Sequence, residues 1–412
     1  MIDRRSLLRG SAAGLGCLSL APGIFAGQAG PSARVRDRAG RPCLVLVQLT
    51  GGNDGLNTLV PYTDDAYFEA RGSLAHKPGD LHRLNRRFAL APDLPGLARL
   101  YREGRMGIVH GVGYPEPNRS HFKSYEIWHT ADLRGRAAAP GWLGRVIAAK
   151  HGQRSDPHRM VHVGDQMPYS LHSATHPALA FQTPRHYRWA GDGTPPEGFI
   201  PTDSGAKRRF EDEVRTGDNL DFVREVMSSA IESSARVRSA VGRYRPSVDY
   251  PKGDFAQSLG VAAALLASKV PTEVLSVELG GFDTHAGQSG AHGRQLRELD
   301  EGLTAFLADV QKRAPNRRVL CVVFSEFGRR VQRNSSGGTD HGTAGPIFLF
   351  GSAINAGQFG SAPSLTELDS RGDLVHTTDF RSVYATIIRG LFGVDPQTVL
   401  GDEYPILPFL RA

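Results

Sequence analysis

The chain has 412 residues, 40% of them hydrophobic, with 49 Lys and Arg against 42 Asp and Glu and a formal net charge of +7 at pH 7. This charge is a weak bias for such a length, and without a basic block interleaved with aromatic residues it gives no support to nucleic acid as the main partner. The length exceeds a typical single core, so one large α/β domain or a domain with insertions is expected.

The N-terminal segment predicts export. The arginine pair Arg4-Arg5 precedes a mildly apolar run over residues 10–25 that contains glycines and a proline. This run is shorter and less apolar than the roughly 20 residues that span a bilayer, so no stable membrane span is expected. The pattern predicts a twin-arginine signal peptide over residues 1–29, with the twin-arginine translocation machinery as a partner and a periplasmic or secreted product. The alternatives are an ordinary secretion signal and a disordered basic tail.

Two cysteines lie outside this segment. Cys43 and Cys321 each occupy an apolar, strand-like run. Two buried thiols are the expected arrangement, with a disulfide as the alternative in an oxidising compartment.

Short apolar runs alternate with segments of helical spacing along residues 30–412. The predicted strands cover residues 44–49, 106–110, 160–163, 274–279, 319–324 and 347–350. The predicted helices cover residues 94–103, 142–150, 222–241, 255–268, 293–313 and 378–391. Strands that alternate with helices predict an α/β domain with a mostly parallel central sheet and helices on both faces. Residues 184–218, rich in Pro, Gly and polar residues, are interpreted as an irregular surface excursion.

Acidic and histidine side chains follow the predicted strands, in glycine-rich segments. Asp54 follows the first strand, Asp283 and His285 follow the strand over residues 274–279, Glu326 follows the strand over residues 319–324, and Asp340 and His341 precede the strand over residues 347–350. Ligands of parallel sheets bind beyond the carboxyl ends of the strands, so we expect these side chains to meet at one edge. Carboxylates and imidazoles without thiolates favour Zn, Mn or Mg. Taken singly, each segment is also compatible with a plain turn or a helix cap.

The order and spacing of these motifs resemble the alkaline phosphatase and sulfatase superfamily, and more closely a twin-arginine-exported bacterial branch of it. The resemblance runs from about residue 44 to residue 392 and implies an alkaline-phosphatase-like fold. It implies that Asp54 binds one metal ion and that Asp283 and His285 bind another. It also implies that His341 is a ligand, since His341-Gly342-Thr343 precedes a proline and an apolar strand as in the superfamily.

One segment departs from the superfamily pattern. The strand over residues 319–324 ends in Ser325-Glu326-Phe327-Gly328, with Glu in place of Asp and Phe in place of a histidine ligand. Asp340 is a candidate substitute for that lost ligand. His376 precedes a segment that resembles the structural helix following the last ligand, and is not expected to bind metal.

The superfamily also implies a nucleophile at the N-terminus of a helix. Ser120 has this position, after the strand over residues 106–110, with Arg119 and His121 beside it as candidate oxyanion-binding groups. The alternative, weighted equally, is that Asn118 or Ser120 only caps the helix. No cysteine lies in this stretch, which excludes a formylglycine of the sulfatase type there.

These features predict an exported metal-dependent hydrolase of phosphate or sulfate esters, acting on a small anionic ester with two divalent ions. Ser120 or a hydroxide at the metal would attack, and Arg119 or Arg329 would hold the anion. The alternative is a superfamily member without turnover, exported as a binding or assembly protein. A phosphomutase relative is the least favoured interpretation.

Overall fold

The computed structural model describes residues 40–134, 139–184 and 233–411. The predicted signal peptide over residues 1–29, the predicted excursion beyond residue 184 and the first part of the predicted helix over residues 222–241 lie outside the described residues. Within them, no helix is both long enough and apolar enough to cross a membrane.

Nine strands form the central sheet, and three short strands form a second one. The strands are β1 (Pro42–Leu49), β2 (Leu59–Val60), β3 (His82–Arg83), β4 (Ala89–Leu90), β5 (Met106–Gly113), β6 (Met160–Val163), β7 (Leu179–Phe181), β8 (Val274–Leu279), β9 (Arg318–Phe324), β10 (Gly345–Phe350), β11 (Gly357–Phe359) and β12 (Thr378–Asp379). The central sheet has the order β11-β5-β10-β9-β1-β8-β6-β7, with β12 paired to β5, and the small sheet has the order β2-β4-β3.

The strands of the central sheet run in one direction except for β10. Strand β1 is parallel to both β8 and β9, and β6 is parallel to β8 and β7. Strand β10 is antiparallel to β9 and to β5, which makes β5 parallel to β9. The prediction of a mostly parallel α/β sheet is therefore confirmed.

Helices cover both faces of this sheet. They are α1 (Gly55–Thr58), α2 (Asp65–Arg71), α3 (Pro95–Arg102), α4 (His121–Thr130), α5 (Trp142–His151), α6 (Asp254–Ala267), α7 (Gln288–Arg313), α8 (Phe380–Ile387) and α9 (Pro396–Leu400). A further helical stretch covers residues 233–243. A π-helical turn over Ile388–Phe392 continues α8.

The alternation of side chains along β1 divides the core between the two faces. Cys43, Val45 and Val47 pack with α3, α6 and α7, whereas Leu44 and Leu46 pack with α4, α5 and α8. Because β1 is buried on both faces, it is apolar along almost its whole length, as strands between two helical layers are.

Cys43 and Cys321 are both buried and free, as expected from their apolar runs. Burial raises the pKa of each thiol above its ordinary value, because a thiolate is poorly solvated inside a core. Both cysteines are therefore structural members of the sheet.

The topology collects several chain segments at one edge of the sheet. The carboxyl ends of β1, β5, β8 and β9 lie at this edge, and so does the amino end of β10, because β10 runs in the opposite direction. The segments that follow or precede these strand ends carry the side chains of the site described next.

Candidate metal centre

Three histidines converge on the carboxylate of Asp283. The Nε2 atoms of His285 and His341 each lie 3.1 Å from Asp283 Oδ1, and His121 Nε2 lies 3.6 Å from Asp283 Oδ2. The two Nε2 atoms of His285 and His341 are 2.9 Å apart. Ligand atoms of His121, Asp283 and His341 all lie within 4.8 Å of one another at the sheet edge, and His285 adjoins this group through its contacts with Asp283 and His341.

The opposite ring nitrogen of each histidine already has a partner that accepts a hydrogen bond. Nδ1 of His121 lies 2.8 Å from Glu326 Oε1, and Nδ1 of His285 lies 3.0 Å from Asp340 Oδ1. Nδ1 of His341 lies 2.7 Å from the backbone carbonyl oxygen of Arg119. In each neutral ring the proton therefore belongs on Nδ1, and Nε2 carries a free lone pair.

This donor set fits a divalent metal ion. Three Nε2 lone pairs directed at one carboxylate repel one another unless a cation lies among them. A tetrahedral Zn with bonds of about 2.0–2.1 Å has ligand atoms about 3.3 Å apart, close to the 2.9–3.6 Å separations seen here. A carboxylate or carbonyl behind each ligating histidine is the usual arrangement in protein metal sites.

The protonation states also favour cation binding. Burial acts to raise the pKa of Asp283, but the hydrogen bond from Arg329 and the charge of its guanidinium lower this pKa to about 2. Burial lowers the pKa of His341, which keeps its ring neutral. The hydrogen bond to Glu326 raises the pKa of His121, so a proton and a metal ion compete for this ring.

Three segments bring the candidate ligands together. Asp283 and His285 follow β8, His341 precedes β10, and His121 is the first residue of α4. A Cβ on Gly338 would lie 2.3 Å from the backbone carbon of His285, so the two loops meet only because this residue is glycine. Gly51, with φ of +114°, has the same function next to the backbone of Asp283.

Arg329 connects these segments. Its side chain is almost fully buried, and its Nη2 atom lies 2.7 Å from Asp283 Oδ1. The same guanidinium donates to backbone carbonyls of Gly52, Thr339 and Phe282. Every nitrogen of Arg329 is thereby engaged inside the protein, so the prediction that Arg329 holds a substrate anion is not supported by its surroundings.

Glu326 and Asp340 stand behind the histidines. Glu326 is fully buried; its Oε1 also accepts from the backbone amide of Gly51, and its Oε2 accepts from Ser325. Asp340 Oδ1 accepts from Asn334 as well as facing His285. The sequence predicts both carboxylates as ligands; in the structure each of them contacts Nδ1 of a histidine that is itself a candidate ligand.

Asp54 lies in a buried ion pair. Its two carboxylate oxygens accept from the guanidinium of Arg71, and they also accept from Gln288 Nε2 and the backbone amide of Asn57. Neither Asp54 nor Arg71 has exposed side-chain area. The first-strand aspartate is therefore separate from the histidine group.

Ser120 lies between two residues of the centre. Arg119 contributes its carbonyl oxygen to His341, and His121 is a candidate ligand. Ser120 is exposed and is the N-cap residue of α4, yet its hydroxyl makes no capping hydrogen bond. Its backbone amide instead donates to Asn118 Oδ1. The Arg119 guanidinium pairs with Asp373 at 3.1 Å.

Two residues that contact Asp54 or the ligand loops could not be predicted as site residues from the sequence. Arg71 lies on α2, a helix absent from the predicted elements, and no spacing rule connects it to Asp54. Gln288, the first residue of α7, accepts from both Thr284 and Thr339, which joins the two loops that carry the ligands.

His376 lies elsewhere, lining a cavity of about 210 Å³ with Tyr114 and Thr343.

The fold and the site define an α/β protein with a candidate histidine and carboxylate metal centre at one edge of a mostly parallel sheet. The chain belongs to the family described as protein of unknown function (DUF1501), whose model matches residues 105–403. A comparison of the sequence with curated proteins finds no match.

Several solved structures are similar to the chain at low identity. The C-terminal periplasmic domain of EptC from Escherichia coli, in complex with Zn, is 10% identical with a TM-score of 0.39, over 90% of this chain and 89% of that one. A protein in the alkaline phosphatase superfamily from Vibrio parahaemolyticus is 10% identical with a TM-score of 0.40, over 98% and 80%. The lipoteichoic acid synthase LtaP from Listeria monocytogenes is 8% identical with a TM-score of 0.39, over 87% and 73%.

Proposed function

We propose that this protein is an exported, metal-dependent hydrolase of phosphate or sulfate esters. The observation that carries the proposal is the convergence of three histidine Nε2 atoms on Asp283, with the hydroxyl of Ser120 adjacent in sequence to one of these histidines. The ligand set that we propose is His121, Asp283, His285 and His341, with Zn or Mn as the ion. Asp54 is left out, because its carboxylate is saturated by other groups.

The proposed ester hydrolysis uses the groups at this edge of the central sheet. A bound divalent ion would polarise an ester oxygen and stabilise the negative charge that develops on it. Ser120 Oγ attacks phosphorus or sulfur, the bond to the ester oxygen breaks, and the proton lost by the serine hydroxyl passes through solvent to the leaving oxygen, which departs as the alcohol. The N-terminus of α4, which begins directly after Ser120, would add the positive end of the helix dipole to the stabilisation of this charge. Attack by a water molecule on the serine ester releases the acid and restores the hydroxyl.

Metal content tests the centre itself. We expect the purified full-length chain to retain Zn or Mn in stoichiometric amounts, and His341→Ala and Asp283→Asn to lose most of it. His82→Ala is the matched control, because that ring lies on the small sheet and its hydrogen-bond partner is the backbone carbonyl of Pro92. Wild-type protein that folds but takes up neither ion contradicts the proposal.

Turnover tests the reaction. A panel of phosphate monoesters, phosphodiesters and sulfate esters should include one that the ion-loaded protein cleaves, and Ser120→Ala should slow this cleavage at unchanged ion content. If the ion binds but no ester is cleaved above the rate of Asp283→Asn, the protein is instead a binding or assembly protein without turnover.

A further inference from the structure

We infer that the centre takes a single divalent ion, with the Arg71 guanidinium as the permanent counter-ion of Asp54, and that its substrates are esters with one negative charge. This inference rests on the proposed function and concerns the number of ions and the charge of the substrate. It departs from the two ions that the number of acidic residues suggests.

The first step is that Asp54 has no free lone pair for an ion. Arg71 donates to both of its oxygens, Nη2 to Oδ1 at 2.8 Å and Nη1 to Oδ2. Gln288 and the amide of Asn57 take the remaining positions. A second ion here would have to displace a guanidinium that has no exposed surface and would leave it buried without a partner, which is strongly unfavourable.

The second step is that the pair is stable without metal. Burial raises the pKa of Asp54, but the charge and hydrogen bonds of Arg71 outweigh this and hold the pKa below its ordinary value. The carboxylate is thus ionised and already neutralised. Among the described residues, the group of His121, Asp283 and His341 is the cluster of three or more ligand-type side chains that could hold an ion.

The third step is the charge around the histidines. Three carboxylates, those of Asp283, Glu326 and Asp340, and one guanidinium, that of Arg329, contact them or one another. The set carries two net negative charges, which one divalent ion neutralises. A second ion would leave two uncompensated positive charges in a partly buried site.

The fourth step concerns the substrate. A phosphate monoester carries close to two negative charges at neutral pH, and its binding needs excess positive charge. The centre with one ion is neutral, and the guanidinium of Arg119, the residue before Ser120, is already paired with Asp373. A phosphodiester or a sulfate ester, each with one charge, is the better electrostatic match.

The ion count is the primary experiment. The wild-type chain is loaded with Zn or Mn, freed of excess ion and examined by native mass spectrometry and elemental analysis. We expect one ion per chain, and one ion also for Asp54→Asn, since Asp54 does not bind it. Two ions per wild-type chain overturn the inference, whether or not the Asp54 variant folds. No ion at all contradicts the proposed function instead.

The second experiment compares substrate charge on the same one-ion protein. At pH 8 we expect kcat/KM for bis(p-nitrophenyl) phosphate or p-nitrophenyl sulfate to exceed that for p-nitrophenyl phosphate by at least about tenfold. The faster of the first two substrates identifies a phosphodiesterase or a sulfatase. Calorimetric titration with dimethyl phosphate and with phenyl phosphate gives the same comparison without turnover. Preference for the doubly charged member of either pair overturns the substrate part.

Discussion

At the scale of single residues, the position of Nδ1 decides what each histidine can do. In all three histidines of the site, Nδ1 lies within hydrogen-bond distance of an oxygen acceptor. This leaves the Nε2 lone pair of His121, His285 and His341 available to a metal ion. The sequence predicts two of these rings as ligands from their glycine-rich segments. It predicts His121 only as an oxyanion-binding group, because the acceptor behind it, Glu326, is 205 positions away in the chain.

The orientation of His121 by Glu326 leads to a prediction. Glu326→Gln keeps the size of the side chain but weakens the hydrogen bond that directs the ring, so we expect the affinity for Zn to fall by about 10–100-fold. Competition with a chromophoric chelator measures this affinity. Glu103→Gln, a change in an exposed acid far from the edge, should leave it unchanged. An unaltered affinity in a folded Glu326→Gln protein would remove His121 from the ligand set.

A second residue-scale prediction concerns acid stability. Glu273 is bound by Lys150, His151 and Arg159 at 2.6–2.7 Å. Burial acts to raise its pKa, but these partners lower it from 4.5 to about 2. A depressed folded-state pKa contributes stability above the unfolded pKa, and this contribution is lost as pH falls from about 5 towards 2.

We therefore expect Glu273→Gln to be less stable than the wild type at pH 7 by about 3 kcal/mol, with the difference shrinking below pH 4. Urea unfolding followed across this pH range provides the measurement. A constant difference at all pH values would show that Glu273 acts through packing rather than through its charge.

At the scale of elements, long apolar segments were predictable and short ones were not. The six predicted strands correspond to β1, β5, β6, β8, β9 and β10. Strands β7, β11 and β12 were missed because two or three residues give no periodicity. Helix α7 begins at Gln288 rather than at residue 293, since its first turn has no large apolar side chain and its buried residue Gln288 contacts the ligand loops.

The contact between loops gives an element-scale prediction. A Cβ on Gly338 would lie 2.3–2.5 Å from backbone atoms of Thr284 and His285, so Gly338→Ala must push the two ligand loops apart. We expect the loss of bound Zn at nearly wild-type secondary structure, measured by elemental analysis and circular dichroism. Gly79→Ala is the matched control, because a Cβ there meets nothing within 4 Å. Equal Zn content in the two variants would mean that the loops adapt.

At the scale of the whole molecule, the export predicted from the sequence and the proposed metal site are connected. The twin-arginine route carries folded proteins, and a site assembled from three distant segments exists only after folding. The route therefore suits a chain that acquires its ion before it leaves the cytoplasm.

This interpretation predicts that replacing the Arg4-Arg5 pair by two lysines retains the precursor inside the cell. The arginine pair is what the translocation machinery reads, and the lysines keep the charge. Fractionation and immunoblotting in the native host follow the precursor and the mature chain, with Arg9→Lys as the matched control. Continued export of the Lys-Lys variant would point to the general secretion route.

The sequence by itself determined the class of the fold and the inventory of candidate ligands. Continuous apolar runs indicate strands that are buried on both faces, and glycine-rich segments after the strands indicate where polar side chains are concentrated. Only the tertiary structure decided which groups touch. The reversed direction of β10 brings Asp340 and His341 to the same edge as Asp283, whereas a parallel strand would place them at the other end. Likewise only the structure shows that Arg71 pairs with Asp54, a side chain 17 residues away in the chain. Such choices depend on distances between segments remote in the chain, which no local pattern encodes.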